Sequence, residues 1–152
     1  MPPIAPFLWF DGQAEEAVAF YTSVFPNSSV DGWMRGPDGS VMGANFRLDG
    51  QPFMALNGGP LYQFTPAVSF FVSCETQAEV DRYWSALGAG SDDEGQCGWL
   101  KDRFGVSWQI IPTALGELLG DPDPEKAGRV MQAMLGMKKI EIAGLREAHE
   151  GR

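Results

Sequence analysis

Apolar and polar positions follow two different periods along this chain, and the switches between them mark its elements. Ile4 to Phe10 is a continuous apolar run with aromatic content, suited to a buried strand. Asp11-Gly12 breaks the run, and Asp11 is the expected helix N-cap. Ala14, Ala17, Val18, Tyr21, Val24 and Phe25 then recur at helical spacing, with Glu15 and Glu16 in the turn where the helix dipole favours acids. Pro26-Asn27 ends that helix. Ser29 to Met34, Ser40 to Leu48 and Gln51 to Leu56 read as three short strands, with hairpin turns at Pro37-Asp38-Gly39 and Asp49-Gly50. Asn57-Gly58-Gly59-Pro60 closes a unit of strand, helix and three strands.

The same order then returns. Ala67 to Ser73 reads as a strand with Val68, Phe70 and Val72 on one face and Ser69, Phe71 and Ser73 on the other. Thr76-Gln77-Ala78-Glu79 is a capping box, followed by Val80, Tyr83, Trp84 and Leu87 at helical spacing and a stop at Gly88. A weak strand is expected near Ser91. A shift of 63 positions lays Ala17, Phe20, Tyr21 and Val24 on Val80, Tyr83, Trp84 and Leu87, which together with the element order indicates an internal repeat.

The second unit ends in a hairpin, Cys97 to Pro112, turning at Asp102 to Gly105. Val106, Trp108 and Ile110 share one face of its second strand, fully apolar and suited to a covering helix. Ser107, Gln109 and Ile111 share the other, whose mid-strand amide suits a half-solvated face or a pocket wall. Beyond Pro112 the pattern turns helical. Ala114 to Leu119 is a short helix, and Asp123 caps a longer one with Pro124 at its first position and an apolar stripe of Val130, Met131, Met134 and Leu135 before Gly136. Ile140 to Ala143 reads as a small strand, and the polar tail from Arg146 as frayed.

Composition removes several chemistries. At 152 residues and 44% apolar the chain has enough material for one domain with a sizeable core. A net charge of −9 with scattered lysine and arginine leaves no basic patch for nucleic acid. No apolar run is long enough to span a membrane and the N-terminus lacks a basic-then-apolar leader, so a soluble, cytoplasmic protein is expected. Its cysteines, Cys74 and Cys97, are expected as buried thiols rather than a disulfide. The only histidine is His149, which excludes a histidine-centred triad or zinc site in the body of the fold. The run Asp92-Asp93-Glu94 reads as a solvated loop, and Cys97 has no histidine to activate it.

The segments Pro6-Phe7-Leu8-Trp9-Phe10-Asp11-Gly12-Gln13-Ala14-Glu15-Glu16-Ala17, Phe20-Tyr21 and Cys97 to Gln109 resemble the PhnB-like group of the glyoxalase/bleomycin-resistance/extradiol-dioxygenase (vicinal oxygen chelate) superfamily. The resemblance implies an α+β fold: two βαβββ modules in a curled mixed sheet forming a cup, followed by C-terminal helices, in a homodimer. The expected organisation is one domain, with module one at about 1–60, module two at about 65–112 and a helical extension at about 113–152. Members often carry the name demethylubiquinone methyltransferase, yet the sequence has no strand, glycine-rich turn and helix for S-adenosylmethionine.

In metal-using members four cup positions hold His, Gln or Glu. By resemblance these are Pro6, Asn57, Ala67 and Gln109 here; two lack a donor side chain and two offer only neutral amides. The expectation is therefore a cup without metal or cofactor that binds a small organic molecule. Asn57, Ser69, Ser107 and Gln109 would orient it, and Trp99 or Phe71 would stack on it. Two alternatives stay open. One is an enzyme with an atypical divalent-metal or metal-independent acid/base site. The other is a structural or regulatory dimer whose cup is filled by its own side chains.

Overall fold

A computed structural model describes residues 4–152, which divide between Phe64 and Thr65 into two compact units. The first contains β1 (Phe7–Phe10), α1 (Ala14–Val24), β2 (Ser29–Arg35), β3 (Val41–Leu48) and β4 (Gln51–Asn57). Its sheet runs β1-β4-β3-β2, with β1 parallel to β4 and the other pairs antiparallel. Leu8, Phe10, Ala44, Phe46, Phe53 and Ala55 are buried on the face under Ala14, Ala17, Val18 and Tyr21 of α1. At the β3–β4 turn, Asp49 and Gly50 both have positive φ, the pairing a tight hairpin needs.

The second unit contains β5 (Phe70–Cys74), α2 (Gln77–Gly88), β6 (Trp99–Lys101), β7 (Ser107–Pro112), α3 (Thr113–Leu119), α4 (Pro124–Leu135) and α5 (Ile142–Glu150). Its sheet runs β5-β7-β6, with β5 parallel to β7 and β6 antiparallel to it. The parallel pairing of each module's first and last strand is the same, and the 63-residue shift carries the start of β1 onto that of β5 and the start of α1 onto that of α2. Thr76 caps α2 as expected, its Oγ1 accepting the Glu79 N–H at 3.2 Å, and Asp123 caps α4 through the Glu125 N–H at 3.0 Å.

Several expectations are corrected. No strand forms near Ser91, so module two has one strand fewer than module one. Side-chain bonds hold the loop instead: the Ser91 hydroxyl donates to the Lys101 carbonyl at the end of β6 and accepts from the Asp93 N–H, and Asp93 accepts from the Gly95 N–H. These local side-chain bonds compete with a strand ladder. Second, Ala67 lies in a turn closed by Thr65, and β5 begins only at Phe70. Third, the α1 N-cap position falls to Gln13, with no side-chain bond from Asp11.

The fourth correction is at the C-terminus, where Ile142–Glu150 is helix, not a strand and a frayed tail. Tertiary partners override the β-branched residues there. Leu145 and Ile140 are buried in a cluster with Ile111, Leu115 and Val130. Gln77 clamps the helix start, donating to the Ile140 carbonyl at 3.0 Å and accepting the Ile142 N–H at 2.7 Å. Arg129 donates to the carbonyls of Ala148 and His149, both at 2.8 Å, and His149 Nε2 lies 2.8 Å from Asp121 Oδ2.

Both cysteines are free. Cys74 is fully buried, and burial, aided by the nearby Glu79 charge, pushes its thiol up to about 11. It is a packing residue at neutral pH. Cys97 is only half-buried, contrary to expectation.

Candidate site on the open face of the second sheet

The hairpin that carries β6 and β7 is built around a buried carboxylate. Asp102, 2% exposed, has Oδ1 accepting the N–H groups of Phe104 at 2.9 Å and Val106 at 3.0 Å. Its Oδ2 accepts the Trp108 indole N–H at 2.9 Å. The turn also closes through the backbone, with Gly105 N donating to Asp102 O and Asp102 N to Val106 O. Asp102 thus fixes the turn and pulls Trp108 toward the α2 side of the sheet, where Leu100, Val106 and Ile110 are also buried.

Alternation then sends Trp99, Gln109 and Phe71 to the opposite face. These three are in register across the sheet: Phe71 pairs with Gln109, and Gln109 with Trp99. Two strand spacings put the Phe71 and Trp99 backbones about 10 Å apart, with Gln109 between them. Phe71 is 60% and Trp99 37% exposed. Ser69, just before β5, takes a hydrogen bond from Gln109 Nε2 at 2.9 Å and so holds the amide in place. Toward Lys101, Ser107 shares this face but is 3% exposed; it is floor rather than contact surface. In the other direction Ile111 disappears under Leu115, Ile140 and Leu145. The face is therefore open at Gln109 and closed at Ile111.

Of the six residues singled out from sequence, the structure brings together Ser69, Phe71, Trp99 and Gln109, with Ser107 beside them. Asn57 is differently employed. It shares parity with Phe53 and Ala55 on the helix-covered face of the first sheet. Its Oδ1 accepts the Ala14 N–H at 2.8 Å and its Nδ2 donates to the Val41 carbonyl at 3.0 Å. Asn57 performs the capping expected of Asp11, from a distant strand end. Asn57→Ala should cost about 1–2 kcal/mol in urea unfolding, from a lost cap and a lost buried bond. A stability within about 0.3 kcal/mol of wild type would contradict that role.

On the first sheet's other face, the sequence left the side of Trp9 open and did not single out Asn45. Trp9 donates its indole N–H to Gly59 O at 2.9 Å and meets Tyr62 edge-on with centroids 5.0 Å apart. Gly58 lies flat on that indole: a Cβ there would stand 2.4 Å from the ring. Asn45, opposite Met54, has a buried Oδ1 with no hydrogen-bond partner. The period-2 count along β3, which separates Gly43 and Asn45 from Ala44 and Phe46, is the signal that would have found it.

The donor chemistry does not fit the divalent ion that the fold family implies. Pro6 and Ala67 have no side-chain donor, Asn57 is bound to Ala14 and Val41, and Gln109 would bring a single neutral amide oxygen. Among the described residues no group of three or more His, Cys, Asp or Glu is placed to hold a metal. No helix among them is long and apolar enough to cross a membrane.

A family profile described as 3-demethylubiquinone-9 3-methyltransferase matches residues 2–111. Among solved structures, a Bacillus cereus PhnB protein described as a putative 3-demethylubiquinone-9 3-methyltransferase is 36% identical, with a TM-score of 0.66; the match covers 73% of this chain and 99% of that one. Protein PA1353 of Pseudomonas aeruginosa, at 22% identity and TM-score 0.57 over 72% of this chain and 96% of the other, shares the fold. So does a glyoxylase/bleomycin resistance protein/dioxygenase domain from Frankia, at 14% identity and TM-score 0.50, covering 74% and 92%. Among the curated proteins none matches. With its βα-and-sheet modules and this pattern of likeness, the chain belongs to the 3-demethylubiquinone-9 3-methyltransferase family, a PhnB-like group with the vicinal oxygen chelate fold.

Proposed function

We propose that this protein binds a small, flat organic molecule on the open face of its second sheet, without a metal ion or cofactor. One observation carries the reading: Phe71, Gln109 and Trp99 stand in register, two exposed aromatic walls with a fixed amide between them. A ring between the walls buries apolar area against both. With Nε2 held by Ser69, the Gln109 oxygen accepts from a ligand O–H or N–H. The reading extends to a cytoplasmic homodimer, since Ile4, Leu61, Tyr62 and Val68 expose apolar surface that a second copy would cover.

The probe is 2-naphthol, which has two flat rings and one donor. At ten times its Kd it should raise the melting temperature by about 3 °C. Gln109→Leu should weaken it about fivefold, and 2-methoxynaphthalene, which lacks the donor, should lose a similar factor on the wild type. Phe71→Ala should cost about tenfold. No thermal shift, or full affinity in both variants, rules the proposal out.

A further inference from the structure

The second unit carries a segment that the family match does not reach. Residues after 111 form α3, α4 and α5, and their link at 135–138 sits against the loop leading into β6. That loop has a difficult backbone. Cys97 has φ +54 and Gly98 φ +84, consecutive left-handed residues of which one is not glycine. β6 is three residues long, at the sheet edge, with β7 its sole sheet neighbour. Left alone, such a loop would not hold a single conformation.

β7 and the loop itself supply part of its restraint, Ile110 N donating to Gly98 O at 2.8 Å and Gln96 and Trp99 exchanging backbone bonds at 2.9 Å, and the 135–138 link supplies the rest. Cys97 N donates to Met137 O and Gly98 N to Lys138 O, both at 2.8 Å. Gln96 Nε2 donates to Leu135 O at 2.9 Å, and Lys138 Nζ meets Glu94 Oε2 at 2.7 Å. Gly98 is wedged where the two segments touch: a Cβ there would lie 2.6 Å from Ile111 Cδ1 and 3.1 Å from Ile140 Cγ1. The link is itself anchored. Met134 and Met137 pack on the Ile111, Leu115, Val130, Ile140 and Leu145 cluster. On α2, Asp81 binds Lys139 at 2.8 Å, a contact that also holds the Asp81 carboxyl below its ordinary range.

We infer that the C-terminal extension is a working part of the binding site: it fixes Trp99 as the second aromatic wall and, by burying Ile111, closes one end of the face. The inference rests on the binding reading above. It also narrows the ligand class. The open floor reaches from Gln109 to a wall two residues along β7, about 7 Å away. A compact ring system of one or two fused rings fits, and a ligand with a long chain pointing toward Ile111 does not.

The test uses the full chain and needs no ligand for its first arm. Leu145→Ala loosens the extension's core at a residue remote from Trp99 in sequence and on another element. Amide hydrogen exchange at Cys97 and Gly98 should accelerate at least tenfold, while amides of β3 and β4 keep their wild-type rates. Leu145→Met, which refills the space, should restore the slow rates. Accelerated exchange in α4 and α5 with unchanged Cys97 and Gly98 would overturn the inference. Should Leu145→Ala fail to fold, Gln96→Ala, at an exposed position, decides in the same way: faster exchange confined to 96–99 supports it and no change overturns it. In the second arm 2-naphthol affinity should fall about tenfold in Leu145→Ala and recover in Leu145→Met. If exchange responds as expected but 2-naphthol never binds the wild type, the binding reading fails, and with it the role assigned to Trp99. If 2-naphthol binds and Leu145→Ala leaves both exchange and affinity unchanged, only the present inference fails.

Discussion

Asp102→Ala is expected to destabilise the second unit by about 3–5 kcal/mol, because it leaves two buried donors and one half-buried donor without an acceptor. The Val106 N–H and the Trp108 indole would be dry and unpaired, while the half-buried Phe104 N–H could turn to water. Both closing backbone bonds of the hairpin would then hold a turn whose centre is empty. In urea the midpoint should drop by about 2 M at an unchanged slope. Asp102→Asn keeps one acceptor but offers the other side an N–H, so its loss should be about half as large. Asp92→Ala, at an exposed loop position nearby in sequence, is the control and should stay within about 0.5 kcal/mol. If Asp102→Ala unfolded no more easily than Asp92→Ala, the carboxylate would not be the organising centre described.

The second large effect is expected in the other sheet, at Gly43. A Cβ at this position would lie 2.3 Å from the Ala55 carbonyl oxygen and 2.7 Å from the Met34 methyl carbon. The first of these is backbone, and β3 is held on both sides by β2 and β4, so neither strand has room to retreat. Gly43→Ala should therefore cost about 3 kcal/mol, seen as a lower melting temperature and faster amide exchange along Val41–Leu48. Gly32→Ala is the comparison within the same sheet. Nothing stands within 4 Å of its would-be Cβ, and its cost should be under about 0.5 kcal/mol. Equal costs at both positions would show that close approach at Gly43 is not what forbids a side chain.

Where the chemistry is local, this fold could be read from the chain. Period-2 alternation set Phe71 on a face with Ser69 and Gln109 on a face with Ser107, the resemblance put both in one cup, and the register pairs Phe71 and Trp99 with Gln109 in one row. The Asp102 to Gly105 turn was legible from residue type, although the indole of Trp108 as its third donor was not. What escaped depended on partners far away in sequence. Asn57 looked like a ligand-facing amide because its true partner, the Ala14 N–H, is 43 residues distant. Ile140 and Ile142 looked like a strand because Gln77, which fixes them as a helix entry, lies on α2. Near Ser91, β-propensity lost to hydrogen bonds that short polar side chains make with their own loop and with the end of β6.

The unequal support of the two sheets bears on how the protein is made. Every strand of the first sheet has its ladder partner within residues 7–57, so that sheet is complete soon after Asn57 leaves the ribosome. The amides of Cys97 and Gly98 must wait for the carbonyls of Met137 and Lys138, which are made well after Asn57. The half that carries the aromatic row therefore acquires its shape later than the first sheet, and a nascent chain halted short of Met137 would emerge with the loop before Trp99 lacking those two bonds.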